Sequence, residues 1–445
     1  MPVHRFKSLP RTLAVSCLAV VVLASLAGPT TAREARDAAA AAHQAAVPSP
    51  DVVTQWNTIA MRTIVTERAV PPQAAPLYLS FTSVAMYDAI VSIKGGYEPY
   101  ALRKRPSGTR DASAEVAAAT AAYTVLRHYF PASAATLDPD YAAALAQVRD
   151  GRAKDRGVKV GQAAARAIIK LRRGDGRDDM SIMLPTSEEP GVWRPTPPGM
   201  LPMAVAWLGF VRPMVLKSPT QLRLPGPDEL DSRAYARDFR EVKDLGAVDS
   251  TARTPEQTET ARFWNDNAVA QYQAGMRSSA AERDLGLTRS ARMFALVNTS
   301  MADALIACWR AKYDYAYWRP ITAIHLADTD GNPATEADPT WTPLVPTPPG
   351  TPPYPDYPSG HACITGSVTR GLSHVFGSRH IDLDISSAVT NTSRHYDTAS
   401  QLNRETENAR IWLGIHFRAA MTDGNKLGQR TAAYVADHEF ERKRH

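Results

Sequence analysis

Residues 358–376 read PSGHACITGSVTRGLSHVF, and this stretch predicts a helix whose first turn carries chemical groups. Apolar residues recur in it at helical spacing, which places Pro-Ser-Gly at the N-terminus: Ile364, Val368, Leu372 and Val375. Unpaired backbone N–H groups and the helix dipole favour an anion there. Gly360 allows close approach of the backbone, the Ser359 hydroxyl can donate a hydrogen bond, and His361 can transfer protons. Taken alone, the tetrapeptide is equally consistent with an ordinary helix cap.

A pair of basic residues lies upstream of this helix, in the segment KYDYAYWRP at residues 312–320. Lys312 and Arg319 are seven residues apart, so on a helix they share one face, two turns and about 10.5 Å apart. Because a residue before proline disfavours the helical conformation, Arg319 is expected at a helix end, next to Pro320. The two long side chains can then converge on one ligand. For this pair alone, a solvated basic face beside an aromatic stripe is the alternative.

A third segment, ARIWLGIHFR at residues 409–418, sets polar residues in an otherwise apolar run. Considered alone, His416 is consistent with a buried histidine that is satisfied by a hydrogen bond in the core. Arg410 weakens that interpretation, because a buried guanidinium needs an anionic partner.

Together the three segments supply two arginines, one lysine, one hydroxyl, backbone amides and two histidines. These donors suit a tetrahedral or trigonal-bipyramidal oxyanion that carries several negative oxygens. A divalent cation is a poor fit, since no pair of carboxylates accompanies the histidines. The sequence therefore predicts an oxyanion site.

The rest of the chain is patterned mainly as helices. Apolar spacing predicts them over residues 81–93, 114–129, 141–149, 158–171 and 255–318. The proline-rich residues 185–230 lack periodicity and predict a long irregular connection. Since we find no strand-rich section and no repeat of fixed period, we expect an all-α fold of packed helical bundles with long proline-rich loops.

Nine prolines crowd residues 339–358, immediately before the Ser-Gly-His sequence. A polyproline ligand for another domain is one interpretation of this run. A rigid surface loop that shapes a pocket is favoured, because the run leads directly into the predicted oxyanion site.

Composition excludes several classes of protein. The chain has 445 residues, of which 44% are hydrophobic and 22% charged, unlike a disordered chain, a collagen-like fibre or a small disulfide-stapled toxin. The net charge is +6, but Arg5, Lys7 and Arg11 lie in the first 32 residues without any acid, which leaves +3 for the remainder. We therefore expect no nucleic-acid partner.

The N-terminus is typical of a secretory signal. A basic start precedes an apolar run at residues 13–28, and small residues permit cleavage before Arg33. An uncleaved anchor is the alternative, but the run is shorter than the ~20 residues that span a bilayer. We expect a secreted mature protein with no stable membrane span. The predicted organisation is a signal peptide, an Ala-rich leader, an N-terminal helical region and a C-terminal helical region that carries the site: residues 1–32, 33–50, 51–250 and 251–445.

The order Lys-x6-Arg-Pro, Pro-Ser-Gly-His and Arg-x5-His across residues 312–416 resembles the superfamily of type 2 phosphatidic acid phosphatases and vanadium-dependent haloperoxidases. Residues 263–267, FWNDN, look like its soluble haloperoxidase branch. The resemblance implies that five residues hold the equatorial oxygens of vanadate or phosphate: Lys312, Arg319, Ser359, Gly360 and Arg410. His416 would be the axial ligand of vanadium or, in a phosphatase, the nucleophile that forms a phosphohistidine. His361 would be the general acid–base in either chemistry.

Three further positions carry information by resemblance. A tryptophan precedes the lysine by three residues in the chloroperoxidases of this family, and Trp309 has that place here. The position seven residues before the histidine of Pro-Ser-Gly-His lines their halide site, where phenylalanine or histidine is expected; Tyr354 stands here, which leaves the halide preference open. Ala409 occupies a position where many members have serine, so a secondary hydrogen bond is missing.

The resemblance implies a vanadate-dependent haloperoxidase as the leading hypothesis, with hydrogen peroxide, a halide and a small organic acceptor as partners. Lys312 would polarise the bound oxidant. The runner-up is a secreted acid phosphatase that acts on a phosphomonoester, and the third alternative is an inactive oxyanion-binding protein. We favour the haloperoxidase for three reasons. The membrane helices of the lipid phosphatases are missing, the chain is longer than the compact soluble acid phosphatases, and residues 410–418 look closer to chloroperoxidase sequences.

Two cysteines would remain after removal of the signal, which contains Cys17. Cys308 lies four residues before Lys312, and Cys363 lies two after His361, so both flank the predicted pocket. A disulfide would protect both thiols from an oxidant made nearby. Two small buried hydrophobic residues are the alternative.

Overall fold

Helices form most of residues 51–346 and 349–443, which are the residues described by the structure, a computed structural model. In chain order they are α1 (Val52–Met61), α2 (Ala75–Lys94), α3 (Ala114–Tyr129), α4 (Ala134–Ala146), α5 (Arg152–Leu171), α6 (Arg233–Gly246), α7 (Pro255–Phe263), α8 (Ala268–Glu282), α9 (Gly286–Tyr315), α10 (Pro320–His325), α11 (Gly360–Phe376), α12 (Ala399–Trp412) and α13 (Arg418–His438). A π-helical turn, Arg62–Glu67, follows α1. The predicted all-α class is confirmed. The predicted signal peptide and leader lie outside the described residues, and the predicted boundary at residue 250 stays a prediction.

The helices predicted from apolar spacing agree with the structure, with two corrections. The stretch predicted at 255–318 consists of three helices, α7, α8 and α9, and ends at Tyr315. The segments at 81–93, 114–129 and 158–171 fall within α2, α3 and α5. The segment predicted at 141–149 belongs to α4, which begins earlier and ends at Ala146. Pro139 lies inside α4 and obscured the helical signal of its first turns.

An antiparallel hairpin interrupts the helical pattern between α11 and α12 and was missed by the prediction. Strand β1 (His380–Ser387) pairs with β2 (Thr392–Thr398), and Leu383 lies opposite Tyr396. Buried and exposed residues alternate along β1, as expected for a strand with one face on the core. The sequence carries the matching signal, because apolar residues stand at every second position of HIDLDI in residues 380–385.

Helix α9 runs through the core and delivers Lys312 in its last turn. The helix ends at Tyr315 because Ala316 adopts the left-handed conformation, with φ 43° and ψ 42°. Arg319 is extended, with φ −84° and ψ 155°, and immediately precedes α10. The prediction that Lys312 and Arg319 share one helix face was therefore wrong, since Pro320 excludes the helical conformation from Arg319. Arg319 does lie at a helix end, as predicted.

Close packing of α11 against α13 fixes the end of the helix that carries Pro-Ser-Gly-His. The backbone N–H of Ser359 donates to the Ala420 carbonyl at 2.9 Å. A Cβ on Gly424 would lie 2.8 Å from the Ser359 carbonyl oxygen, and a Cβ on Gly428 would overlap with the Cys363 carbonyl oxygen. Glycine is needed at both places because only a bare backbone lets the helices approach so closely.

The irregular segment at residues 185–230 is tied to α9 through a buried carboxylate. Asp303 accepts hydrogen bonds from three consecutive backbone N–H groups, at 2.5, 2.8 and 2.8 Å: those of Met214, Val215 and Leu216. Apart from the 3₁₀ turn Ala206–Phe210, the structure contains no helix or strand in this segment, so the predicted irregular connection is confirmed. Its residues 196–201 contribute to one wall of the cavity at the site.

One helix, α2, is long and apolar enough to cross a membrane by length and composition alone, among the residues that were described. In the structure 94% of its apolar window is buried inside the protein. Its apolar character is therefore accounted for by packing against α3 and α9, as in a core helix.

Candidate active site

The three predicted segments meet at one place. Lys312 comes from the end of α9, Arg319 from the start of α10, and Arg410 from the last turn of α12, and all three side chains are buried. The guanidinium of Arg319 and the ammonium of Lys312 lie 4.8 and 4.9 Å from the centre of the Tyr354 ring. His416 follows α12, and Arg319 lies 3.4 Å from its ring nitrogens.

Lys312 is held by the proline-rich loop. Its Nζ donates to the carbonyl oxygens of Pro355 and Asp356 at 2.6 and 3.1 Å. An ammonium has three donors, so one N–H is left for a ligand. Burial, which disfavours the charged form, lowers the pKa of Lys312 to about 8.

Arg319 is held mainly by backbone carbonyl groups, and its Nη1 also lies 3.4 Å from the ring nitrogens of His416. Its Nε donates to Tyr354 at 2.7 Å, and its Nη1 and Nη2 donate to Ile415 and Pro352 at 2.6 and 3.2 Å. Since a guanidinium has five N–H donors, two are left over. Burial lowers the pKa of this group, although the carboxylate of Asp356, 3.8 Å away, partly offsets that effect.

Arg410 is buried without a protein anion. Its Nη1 donates to the Trp264 carbonyl at 2.6 Å, while its Nε is buried and has no hydrogen-bond partner. No Asp or Glu in the described part of the chain pairs with it, and burial lowers its pKa to about 10. The sequence argument that Arg410 needs an anionic partner therefore points to a ligand, not to a carboxylate of the chain.

The first turn of α11 has the cap geometry expected of an anion site. Ser359 is the N-cap, and a Cβ on Gly360 would lie 3.0 Å from the Trp309 ring, so the backbone sits directly on that ring. The Nε2 atom of His361 is buried and has no partner among the described residues. Burial, reinforced by the charge of Arg410, lowers the pKa of His361 well below its usual range.

Asp356 is the residue of the site that the sequence argument missed. Its Oδ1 lies 2.7 Å from Nδ1 of His416, and its Oδ2 accepts from the backbone N–H of Phe417 at 3.4 Å. Burial raises the pKa of Asp356 to about 7 and lowers that of His416 well below its usual range. The sequence did contain a signal for this residue, since Asp356 is the only acidic residue among residues 339–358.

A cavity of about 380 Å³ opens onto five of the predicted site residues: Trp309, Tyr354, Gly360, His361 and Arg410. Apolar side chains line most of it, among them Leu201, Leu305, Trp309 and Ile364, and the proline-rich loop contributes residues 349–354. His361 and Arg410 are among its polar lining residues, together with Asn265, Asp266 and Asn267. The prediction that the loop shapes a pocket is confirmed.

The donor set fits an oxyanion such as vanadate or phosphate. The site holds three buried cations and one buried carboxylate, that of Asp356, and the Nε of Arg410 and the Nε2 of His361 are buried without partners among the described residues. Buried polar groups are almost always satisfied, so two such atoms at one site indicate where a ligand binds. The fixed donors need no reorganisation to receive negative charge.

Both cysteines near the site are buried free thiols in the structure. The Cys308 thiol donates to the Pro358 carbonyl at 3.6 Å, directly behind the first turn of α11. This arrangement favours their interpretation as small buried residues over the disulfide.

The comparison with known families agrees with this geometry. Residues 292–443 match the family described as the VCPO second helical-bundle domain, and this segment includes every predicted site residue. The predicted resemblance to the vanadium-dependent haloperoxidase superfamily is confirmed. A relative in Curvularia inaequalis, a vanadium chloroperoxidase, is 29% identical over 231 residues. The match spans 39% of this chain and only 37% of the haloperoxidase.

Solved structures of haloperoxidases share the fold. A bacterial vanadium-dependent iodoperoxidase superposes with a TM-score of 0.75 at 23% identity, over 88% of this chain and 97% of the other. The holo form of a bacterial vanadium-dependent chloroperoxidase gives 0.67 at 18% identity, over 88% and 96%. The apo form of a bacterial chloroperoxidase gives 0.65 at 17% identity, over 82% and 92%. The helical-bundle architecture is therefore that of the haloperoxidases.

Loss of the Lys312 charge is expected to weaken oxyanion binding in a pH-dependent way. Lys312→Ala removes a direct charge-assisted contact, so the affinity for orthovanadate should fall by roughly 10- to 100-fold at pH 7. As the pH rises through about 8, the wild-type ammonium loses its proton, and the difference between the two proteins should shrink. Equilibrium binding at pH 6.5–9.5 measures the ratio of the two affinities, which cancels changes in vanadate itself. A ratio that stays constant over this range contradicts the assignment.

Proposed function

We propose that this protein is a vanadate-dependent haloperoxidase, which oxidises a halide with hydrogen peroxide to a halogenating species of the hypohalous acid type. The observation that carries the proposal is the buried Arg410 guanidinium without a protein anion, in a segment similar to the chloroperoxidase helical-bundle domain. A site with this surplus of fixed positive charge is preorganised for an oxyanion.

The residues that would hold vanadate are the predicted ones. Five of them would bind its oxygens: Lys312, Arg319, Ser359, Gly360 and Arg410. His416 would bind the vanadium through Nε2, since its Nδ1 is engaged by Asp356. When bound, vanadate supplies the activation of hydrogen peroxide toward attack by a halide.

His361 is proposed as the general acid–base. Its pKa lies well below the usual range, so the ring is neutral at pH 7 and Nε2 or Nδ1 can accept a proton. The ring lines the cavity beside Arg410, where hydrogen peroxide would lose its protons. Lys312 would polarise the bound oxidant through its remaining N–H, because a positive charge in a buried site acts on its neighbours with little screening.

Trp309 and Tyr354 are proposed to line the halide position. Their rings meet at 5.1 Å between centres and both face the cavity. Tyr354 is overlain by two cations, Lys312 and Arg319, which would attract a halide to that wall. The apolar part of the cavity has room for a small organic acceptor and excludes water from the oxidant.

One observation favours the phosphatase as a second candidate. The Nδ1 of His416 bonds a buried carboxylate, which is an arrangement that orients and activates a nucleophilic histidine. In that chemistry His416 would attack phosphorus in line, and His361 would protonate the leaving oxygen of a phosphomonoester.

The test uses purified protein in two portions. One is loaded with orthovanadate and assayed for halogenation of an organic acceptor with hydrogen peroxide and chloride, bromide or iodide in turn. The other, free of vanadate, is assayed for hydrolysis of an aryl phosphate. We expect turnover that requires both vanadate and a halide. Phosphate release without halogenation would establish the phosphatase, and vanadate binding without either turnover would establish an inactive oxyanion-binding protein.

We also propose that the protein is exported, and this part of the proposal rests only on the signal-like sequence of residues 1–32. A cell fractionation that measures where the protein accumulates tests it, with cleavage near residue 33 read from the N-terminal sequence of the exported form. Uncleaved protein that stays in the cytoplasm contradicts this part of the proposal.

A further inference from the structure

Asp356 is a buried acid whose side chain contacts His416. Its Oδ1 lies 2.7 Å from Nδ1 of His416, and both side chains are almost fully buried, at 1% and 2% exposure. Neither the nearby Lys312 nor Arg319 forms a close ion pair with this carboxylate: Arg319 is 3.8 Å away, and Lys312 donates to the backbone oxygen of Asp356. The shortest contact of the carboxylate is therefore with the imidazole.

The backbone holds the carboxylate in place. The N–H of Asp356 donates to the Tyr317 carbonyl at 2.9 Å, and its carbonyl accepts from Lys312 at 3.1 Å. The second carboxylate oxygen accepts from the N–H of Phe417 at 3.4 Å, so Asp356 joins the proline-rich loop to the chain that carries His416. A carboxylate fastened at this many points can hold the ring in one orientation.

The contact has a consequence for the protons of the ring. A neutral imidazole has one N–H donor and one acceptor nitrogen, and a carboxylate only accepts when it is ionised, as Asp356 is above its pKa of about 7. A carboxylate at Nδ1 therefore places the hydrogen on Nδ1 and leaves the lone pair on Nε2, the nitrogen available to a ligand. We propose that Asp356 is the positioning residue of His416, which keeps this histidine in the Nδ1–H tautomer with Nε2 free to contact the oxyanion. This proposal rests on the proposed function in that it assigns His416 to the oxyanion.

The proposal is tested first on the protein without vanadate. NMR of the ¹⁵N-labelled imidazoles distinguishes the two tautomers, and His416 is identified by its loss from the spectrum of His416→Gln. We expect the Nδ1–H tautomer in the wild type at pH 8.5, where the Asp356 carboxylate is ionised. In Asp356→Asn the amide can donate to Nδ1, so we expect the ring to change to the Nε2–H tautomer. A wild-type His416 with its hydrogen on Nε2 overturns the proposal, whatever the variants do.

Orthovanadate affinity is the second measurement. Loss of a partner behind a ligating histidine typically costs about 10- to 100-fold in affinity, and we expect a loss of this size in Asp356→Asn. Asp356→Glu keeps the carboxylate and should recover part of it. The matched control is Asp423→Asn, since Asp423 is a buried acid that accepts from Tyr357 at 2.9 Å beside the same loop without touching His416. It should keep the wild-type tautomer and most of the affinity.

The outcomes separate this proposal from the proposed function. Unchanged tautomer and affinity in a folded Asp356→Asn would show that the acid has no positioning role. A wild type with the Nδ1–H tautomer that fails to bind vanadate would instead contradict the proposed function and leave the tautomer assignment intact. If Asp356→Asn does not fold, as judged by circular dichroism, the tautomer of the wild type and the affinity of Asp356→Glu still decide.

Discussion

The replacement of His416 by alanine is expected to abolish turnover. Under the proposed function the side chain would offer Nε2 to vanadium or, in a phosphatase, to phosphorus, and alanine has no atom that can take either part. We expect the rate of halide-dependent halogenation, or of aryl phosphate hydrolysis, to fall by at least about 1,000-fold, because a ligand or nucleophile cannot be replaced by its neighbours. Steady-state kinetics at saturating vanadate and peroxide measure the loss.

A second histidine provides the control. His325 lies in α10, is partly buried, and bonds the Trp341 carbonyl through Nε2 at 2.7 Å, outside the site. His325→Ala should keep activity within a few-fold of the wild type. Unchanged activity in His416→Ala would show that the site has been placed wrongly.

Arg410→Met is expected to weaken vanadate binding without lowering the free energy of unfolding. The wild-type guanidinium is buried without a carboxylate, and the lowering of its pKa to about 10 means that folding disfavours its charge. Methionine removes that penalty but leaves the Trp264 carbonyl without its donor. We expect the free energy of unfolding to be unchanged or to rise by up to ~2 kcal/mol. The affinity for vanadate should fall by about 100-fold, the effect of one buried charge-assisted contact.

A buried arginine that does have a carboxylate is the matched control. Arg172 pairs with Asp175 at 2.8 Å, and both side chains are buried. Arg172→Met leaves that carboxylate with Arg177 alone, at 3.2 Å, and removes the donors to the Pro213 and Arg212 carbonyls, so it should lower the free energy of unfolding by about 2 kcal/mol. Urea unfolding of both variants, with vanadate binding measured in parallel, tests the contrast. If Arg410→Met is destabilised as much as Arg172→Met, the ligand interpretation of Arg410 fails.

Most of the helical framework was predictable because its signals are local. Helix α3 begins and ends at the predicted residues, 114 and 129. Its apolar positions recur every three to four residues, between the N-cap Ser113 and Pro131. The hairpin β1–β2 was missed, although β1 alternates buried and exposed residues. A short alternating stretch between long helices is a weak signal in one sequence.

The functional residues were predictable where they lie on a recognisable motif. All nine predicted positions from Trp309 to His416 fall within the segment that matches the haloperoxidase helical-bundle domain. The assumed geometry of one pair was wrong: Arg319 reaches the site from an extended residue before α10, not from the face of α9. Its neighbours in the site are carbonyl groups of a loop, which no spacing in the sequence indicates.

The sequence by itself determined the helical class, the end of α11 that receives an anion, and the inventory of positive side chains, because helix signals and motifs depend on residues close together in the chain. Only the tertiary structure decided which groups are left without a partner and which are paired. Arg410 proved to be buried without a protein anion, whereas His416 proved to be paired with Asp356, 60 residues away. The direction of a side chain in a proline-rich loop follows no period, so this contact depends on how the loop packs against the rest of the fold.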